Sequence, residues 1–238
     1  MNYKKTLKRT LLFSAAFFMM LVMQAGCSED SISSISNNNG SGSDNVSLSV
    51  KTGDVTDNPA SIVIDEAKAL ITEVEVEQEP SGTEHHIRVS PFVVYFNLNG
   101  TLITVTTGNI PAGLYNKIKF KVHKPEDNEP IPDPEFREGS SGNKRYSFII
   151  KGKYNGISFV YKSRKSANIV VVFPTAINMQ ENTRNITLLI NPSLWFKNGS
   201  VEIDPRNSGN ENLIDDNIKN SFKRAFKDDN KDGLPDDN

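Results

Sequence analysis

The sequence predicts a mainly β chain: an antiparallel β-sandwich with one C-terminal amphipathic helix. Three observations predict it. Roughly eight or nine short runs alternate apolar and polar residues or are rich in β-branched ones, with turn residues between them. Asn155-Gly156 lies between two such runs, the strongest short-range hairpin signal, because a type I′ turn needs positive φ at both positions. No succession of strand–helix–strand units occurs, which disfavours a doubly wound or barrel α/β enzyme.

Val46 to Val50 alternates strictly, as a half-buried strand does, and Gly53, Asp54, Asn58 and Pro59 mark a loop. Over Ser61 to Glu79 the residues Ile62 and Ile64, then Leu70, Thr72, Val74 and Val76, share a side, with Glu73, Glu75 and Glu77 opposite. β-Branched residues dominate the second half, so a strand is expected. Pro80-Ser81-Gly82 turns the chain, and strands follow over 87–89 and 92–98, separated by Pro91. Ile118, Phe120 and Val122 form one face of the next strand; Lys117, Lys119, Lys121 and His123 form the other. With no aromatics among the lysines, that row reads as a solvated sheet face rather than a site for an acidic ligand.

Residues 124–145 contain Pro125, Pro130, Pro132 and Pro134, then Gly139 and Gly142. They are expected to be irregular, the best place for an exposed, variable insertion. Strands over 146–154 and 157–162 flank Asn155-Gly156, and those over 168–173 and 185–191 complete the set. Leu194-Trp195-Phe196 is expected to pack in the core rather than to offer an exposed sugar platform. Ile214, Ile218, Phe222, Ala225 and Phe226 fall on one helical stripe, with Asp215 and Asp216 early and Lys219, Lys223 and Lys227 late, as the helix dipole favours. Asn210 or Asn212 is the expected cap. The sandwich is thus expected over 46–210, and the helix with an Asp-rich tail over 211–238.

Charge excludes one class of partner. The chain of 238 residues carries 27 Lys and Arg against 29 Asp and Glu. Without residues 1–26, which hold Lys4, Lys5, Lys8 and Arg9 and no acid, 23 bases face 29 acids. Such an acidic body is no nucleic-acid binder by bulk charge. One cysteine excludes an internal disulfide framework and a cysteine-rich zinc site.

Residues 1–26 have the three parts of a secretory signal. A basic start is followed by the apolar run Leu11 to Met23, broken only by Ser14 and short of the roughly 20 residues that span a bilayer. Ala25 and Gly26 then precede Cys27. Gln24-Ala25-Gly26-Cys27 resembles a bacterial lipobox, with Gln24 where Leu is usual. The resemblance implies that Cys27 gains a diacylglycerol thioether and an N-acyl chain such as palmitate, and more than one chain makes anchoring stable. Residues 27–45 are then the lipidated Cys and a flexible tether of Ser, Asn, Gly and Asp, with a reach of roughly 25 Å. Ser28-Glu29-Asp30 resembles the export signal of surface lipoproteins in Bacteroidetes-like bacteria; an ordinary polar tether is the equal alternative. Membrane attachment through Cys27 at the outer membrane, surface-exposed or on the periplasmic face, is therefore expected.

Ile110-Pro111-Ala112-Gly113-Leu114-Tyr115, followed by Lys117-Ile118-Lys119-Phe120, resembles the Pro-Ala-Gly-x-Tyr turn and strand of a group of uncharacterised lipoprotein domains of unknown function from Bacteroidetes- or Chlorobi-like bacteria. Gly152-Lys153-Tyr154-Asn155-Gly156 with Phe159, Trp195-Phe196, and Asn217 to Phe222 continue the resemblance. It implies a transthyretin-like or carbohydrate-binding-like sandwich, and it carries over no catalytic residue.

The motif search for chemistry is mostly negative. There is no Gly-x-Ser-x-Gly elbow, no His-Glu-x-x-His and no phosphate-binding glycine loop. His85 and His86 are adjacent, so on a strand they face opposite sides and do not share a metal. Asp228-x-Asn230-x-Asp232-Gly233-x-x-Asp236 matches the early half of an EF-hand-type calcium loop, with oxygens at positions 1, 3, 5 and 9, Gly233 at the turn and the Leu234 carbonyl at 7. Position 12, where a bidentate Glu is usual, lies beyond Asn238; Asp237 or water would take its place. A frayed acidic tail is the alternative. The expectation is a lipid-anchored, non-catalytic binding or scaffolding module with a glycan or protein ligand, no nucleic acid, and Ca²⁺ as the one candidate cofactor. A carbohydrate-active, carboxylate-based hydrolase and a fimbrial or adhesin subunit are the competing classes.

Overall fold

The computed structural model describes residues 44–53, 61–138, 144–179 and 184–236. Residues 1–26, expected to be a secretory signal, Cys27 and the Ser28-Glu29-Asp30 triplet lie outside the described residues. Among the described residues no helix is long and apolar enough to cross a membrane.

The chain is mainly β. In order it forms β1 (Val46–Thr52), β2 (Ile62–Glu79), β3 (Glu84–Tyr95), β4 (Ile103–Gly108), β5 (Gly113–Val122), β6 (Phe148–Tyr154), β7 (Ile157–Ser163), β8 (Ala167–Met179), β9 (Arg184–Ile190), β10 (Lys197–Asn198), β11 (Val201–Glu202), α1 (Glu211–Asn220) and β12 (Phe222–Lys227). One sheet runs β12-β9-β1-β4; a larger one runs β7-β6-β2-β5-β8, with β3 also paired to β2. β2 is the organising strand. Its first half pairs with β6 and its second half with β5, while β3 pairs across both halves and so occupies the opposite edge. All pairings are antiparallel except β1 with β9, which run parallel in register from Val46↔Arg184 to Thr52↔Ile190. That parallel pair departs from the purely antiparallel expectation.

The core lies where the inward positions meet: Leu48, Val50, Ile186 and Leu188 from the smaller sheet, and Val74, Val76, Ile118, Phe120 and Ile150 from the larger. Trp195 is fully buried in it, with its ring edge-on to Phe96 and Phe148 and its Nε1 donating to Ser221 Oγ at 2.8 Å. A buried aromatic of this kind contributes about 1.5–3 kcal/mol from area alone, so the indole is a packing residue, as expected. The β6–β7 hairpin closes through Asn155 (φ 50°) and Gly156 (φ 76°), the type I′ pattern read from the sequence.

β4, β10 and β11 lie where no strand is expected, and three expected elements differ. In β2 the alternation changes phase. A register shift between Ile64 and Glu66 turns Ala67, Ala69 and Ile71 into the main core, so Leu70 joins a second cluster with Phe136, Tyr146 and Ile149, and a second shift between Ile71 and Glu73 returns Val74 and Val76 to the core side. In β3 the expected break at Pro91 is a bulge within one strand, because the register steps from Val89 to Phe92 and no ladder N–H is needed between them. The helix ends at Asn220, and Phe222 to Lys227 form β12 on the edge of β9. A register shift between Phe222 and Arg224 lets Phe222 and Ala225 share the core side of that strand, so their spacing of three imitates a helical stripe. Asn210 is the N-cap by position, but its side chain accepts no helix N–H, and its amide donates to the Asp204 carbonyl.

Candidate functional site

The outer face of the larger sheet runs continuously across β3, β2, β5 and β8. Alternation sets Glu73, Glu75 and Glu77 of β2 opposite Lys121, Lys119 and Lys117 of β5, residue for residue. Lys117 Nζ lies 2.5 Å and Lys119 Nζ 2.8 Å from the two Glu77 oxygens, and Lys119 also bonds Glu84. These two lysines hold the Glu77 carboxyl below its ordinary pKa. The predicted lysine row is thus paired within the sheet. Exposed valines flank the charges: Val170 and Val172 of β8 stand opposite Lys119 and Lys117, and Val89 of β3 stands opposite Glu73. The face carries charge at its centre and apolar patches on both sides.

Within it Glu75 is the odd member. Lys119, its cross-strand neighbour, is drawn to Glu77 and Glu84, and Lys121 sits 3.8 Å from Glu73 Oε2. Glu75 Oε1 faces His86 Nδ1 at 3.2 Å, and Glu73 Oε1 lies 3.1 Å from the same nitrogen. Burial, with the Glu73 and Glu84 carboxylates nearby, pushes the Glu75 carboxyl above its ordinary value. His85 turns away, 3.4 Å from Gln78 Oε1 and edge-on to Tyr115, so the two histidines do not converge.

Beside this ladder the proline-rich segment is pinned. Asp133 caps a 3₁₀ turn at Pro134–Phe136, which inserts the fully buried Phe136 over Leu70 and Ile149. Lys68, buried in the middle of β2, donates to Asp133 Oδ2 at 2.6 Å and to Glu135. Tyr95 donates to Asp133 Oδ2 at 2.9 Å, and Lys151 reaches Glu135 at 2.9 Å. Burial works against the Lys68 charge, but the two carboxylates hold its pKa above the ordinary lysine value. Burial likewise works against the Asp133 charge, yet Lys68, the Glu135 N–H and Tyr95 hold its carboxyl below the ordinary range. Lys68 and Lys151 lower that of Glu135. The insertion is irregular and largely exposed, as expected, but Asp133, Glu135 and Phe136 latch its middle to the sheet. A lysine with a raised pKa is no nucleophile, and carboxyls with lowered values are poor general acids.

The Asp-rich tail is folded onto the smaller sheet. Ser47 and Ser49 of β1 donate to Asn185 Oδ1 at 2.7 and 2.8 Å; the Asn185 amide donates to Thr187 Oγ1 and to the Asp228 carbonyl. Thr187 Oγ1 in turn donates to Asp228 Oδ2 at 2.7 Å. Ser47, Ser49, Asn185, Thr187 and Asp228 are all buried, so the polar side of β1 is covered rather than solvated. Asp228 also accepts from the Asp232 and Gly233 N–H groups, both at 3.0 Å. Asn230 Oδ1 accepts from Asp232 N, and Asp232 Oδ1 from Leu234 N, a succession of Asx turns that curls the loop. Gly233 sits at φ 79°, as the motif requires. The incoming element is strand β12, not the helix of an EF-hand. The Asp236 carboxylate accepts from Asp229 N at 2.5 Å, and Asp228, Asp232 and Asp236 do not bring three carboxylate oxygens within 4.8 Å of one another.

A cleft of about 240 Å³ lies beside α1, lined in part by Ser147, Ser163, Lys165, Asp215, Asp216 and Lys219. It is below the roughly 300 Å³ at which drug-sized ligand pockets begin. Asp215 is held by the Tyr161 hydroxyl at 2.7 Å.

The sequence reading missed the Lys68 latch and the Glu73–Glu75–His86 convergence. Lys68 signalled itself as a charge inside the apolar run Ala67 to Ile71. The pairing of His86 with Glu75 depends on the register between β2 and β3, which no local pattern carries. Comparisons with protein-family models, with curated proteins and with solved structures find no match to this chain.

Proposed function

We propose that the protein is a lipid-anchored cell-envelope module whose sandwich binds or scaffolds a macromolecular ligand without catalysis. The observation that carries the binding role is the outer face of the larger sheet. It is open and wide, it spans four strands, and its ladder of paired charges fixes the side chains before any ligand arrives, which lowers the ordering cost of association. Exposed valines beside it supply apolar area of the kind found at interface centres. The anchor rests on the signal pattern and on Cys27, and the envelope setting also on the resemblance to lipoprotein domains of unknown function. The outer membrane, with the domain facing outward, is the location this reading favours.

The tail is read as a structural calcium loop. Asp228 is fully buried, and among the described residues no Lys, Arg or His lies within ion-pair distance of it. Asp228, Asn230 and Asp232 with the Leu234 carbonyl would hold the ion, and Asp236, at position 9, would join through water. Bound calcium would supply the missing positive charge and fix the tail on β1 and β9.

Glycan and protein arrays probed with the full chain in non-ionic detergent test the function. Retention of a ligand class with no change in the probes supports the reading; conversion of a probe to product contradicts it.

A further inference from the structure

We propose that Glu73, Glu75 and His86 form a binding site for a single divalent transition-metal ion, zinc by the chemistry of its donors. The proposal is independent of the lipid anchor and of the calcium loop.

The sheet places the three donors together. Glu73 and Glu75 are two apart on β2 and share its outer side, and His86 is the cross-strand neighbour of Glu75 on β3. One oxygen of each carboxylate and one imidazole nitrogen lie within 4.8 Å of one another, the one such trio of His, Cys, Asp or Glu among the described residues. The separations from Nδ1, 3.1 Å and 3.2 Å, can be set against coordination geometry. Ligands about 2.0–2.1 Å from a tetrahedral zinc lie about 3.3 Å apart, so the two separations from Nδ1 already stand near edges of a zinc tetrahedron, and the two carboxylate oxygens, within 4.8 Å of each other, need only a side-chain adjustment to complete it.

A protonated imidazole paired with the carboxylates is the alternative, and it fits less well. One Nδ1–H shared between two oxygens at nearly equal distance makes only two bent, weakened hydrogen bonds. A metal ion has no such directional limit and satisfies all three donors at once.

The neighbours leave room for a cation. Glu77 has two lysines, whereas no Lys or Arg among the described residues lies within ion-pair distance of Glu75. Lys121 approaches Oε2 of Glu73, not the Oε1 that faces His86. His86 is about half exposed, which opens a path from solvent and leaves the fourth coordination position to water. Imidazole beside carboxylate suits zinc; calcium and magnesium prefer all-oxygen cages.

The test is equilibrium dialysis of zinc alone against the untagged full chain in non-ionic detergent. The expected result is one zinc per chain. His86→Ala and Glu75→Gln should each weaken binding by more than about 100-fold, since even partners that only orient a ligand cost 10–100-fold. His85→Ala, changed on the far side of β3, should bind as the wild type does. Cobalt in place of zinc should show d–d absorption that His86→Ala abolishes. Unfolding of each metal-free variant at the wild-type temperature establishes that the fold is intact. No zinc uptake by the wild type, or equal uptake by His86→Ala, overturns the proposal.

Discussion

Lys68 Nζ lies 2.6 Å from Asp133 Oδ2, and this contact joins the centre of β2 to a segment 65 residues further along the chain. A lysine in the middle of an apolar strand is costly to bury alone. Here Asp133, Glu135 and Glu66 surround it, and Tyr95 and Phe136 stack near its ammonium. The group converts a proline-rich stretch into a cap over Leu70 and Ile149, and so gives the molecule its second small core.

Removing one partner of this cluster should therefore destabilise strongly. Lys68→Ala leaves Asp133 charged and nearly buried, and should cost about 3 kcal/mol. The paired change Lys68→Met with Asp133→Leu should recover most of that. Urea unfolding of the three proteins measures it; a cost near the 0.5 kcal/mol of an ordinary surface change would contradict the latch.

Acid should loosen the same cluster. The Asp133 and Glu135 carboxyls are held below their ordinary values, so the unfolded chain binds more protons than the folded one as the pH falls. Their contribution is complete above the ordinary carboxyl range of about pH 4–5 and is lost as the pH drops through the lowered values. The Lys68→Met, Asp133→Leu protein lacks the Asp133 part of that dependence, though Glu135 keeps Lys151. Melting temperatures from pH 7 down to pH 2.5 should fall more steeply for the wild type; parallel curves would contradict the assignment.

The tail offers a separate measurement. Asp228→Ala removes the acceptor of Thr187 and of two loop N–H groups, and should cost about 2 kcal/mol even without metal. Calorimetric titration should show weak calcium binding by the wild type, on the order of 10⁻⁴ to 10⁻³ M, and none by Asp228→Ala or Asp232→Ala. No heat at millimolar calcium in the wild type would leave the loop as a hydrogen-bonded lid alone.

Cys27→Ala should abolish fatty-acid labelling and stable membrane association. If Ser28-Glu29-Asp30 directs export, Glu29→Ala with Asp30→Ala should protect the domain from protease added to intact cells. Equal labelling of the Cys27→Ala protein would end the anchor account, and unchanged protease access in the second variant would reduce the triplet to tether.

The sandwich was legible because period-two patterns and turn residues are local signals: Val46 to Val50, Ile118 to Val122 and Asn155-Gly156 all appear where their patterns place them. β12 was not, because a bulge spaces Phe222 and Ala225 as a helix would. The β2 phase change was hidden for the same reason: a bulge adds a residue without leaving a mark in hydropathy. The latch and the Glu73–Glu75–His86 group depend on contacts between distant strands, so only single oddities such as Lys68 hinted at them. The tail was legible as a loop motif, but its attachment to Asn185 and Thr187 rests on the parallel β1–β9 pair, which no sequence pattern announced.

The central claim is that ligand binds across the outer face of the larger sheet. It is tested most directly by comparing the wild type with Val170→Glu and Val172→Glu against the ligand that the arrays retain. Both valines are exposed, so the fold should survive, and Leu234→Glu, an equally exposed change on the tail, serves as control. The account predicts that either valine variant loses at least tenfold in affinity, about 1.4 kcal/mol, while the Leu234→Glu protein binds as the wild type does. Undiminished binding by both valine variants would contradict it.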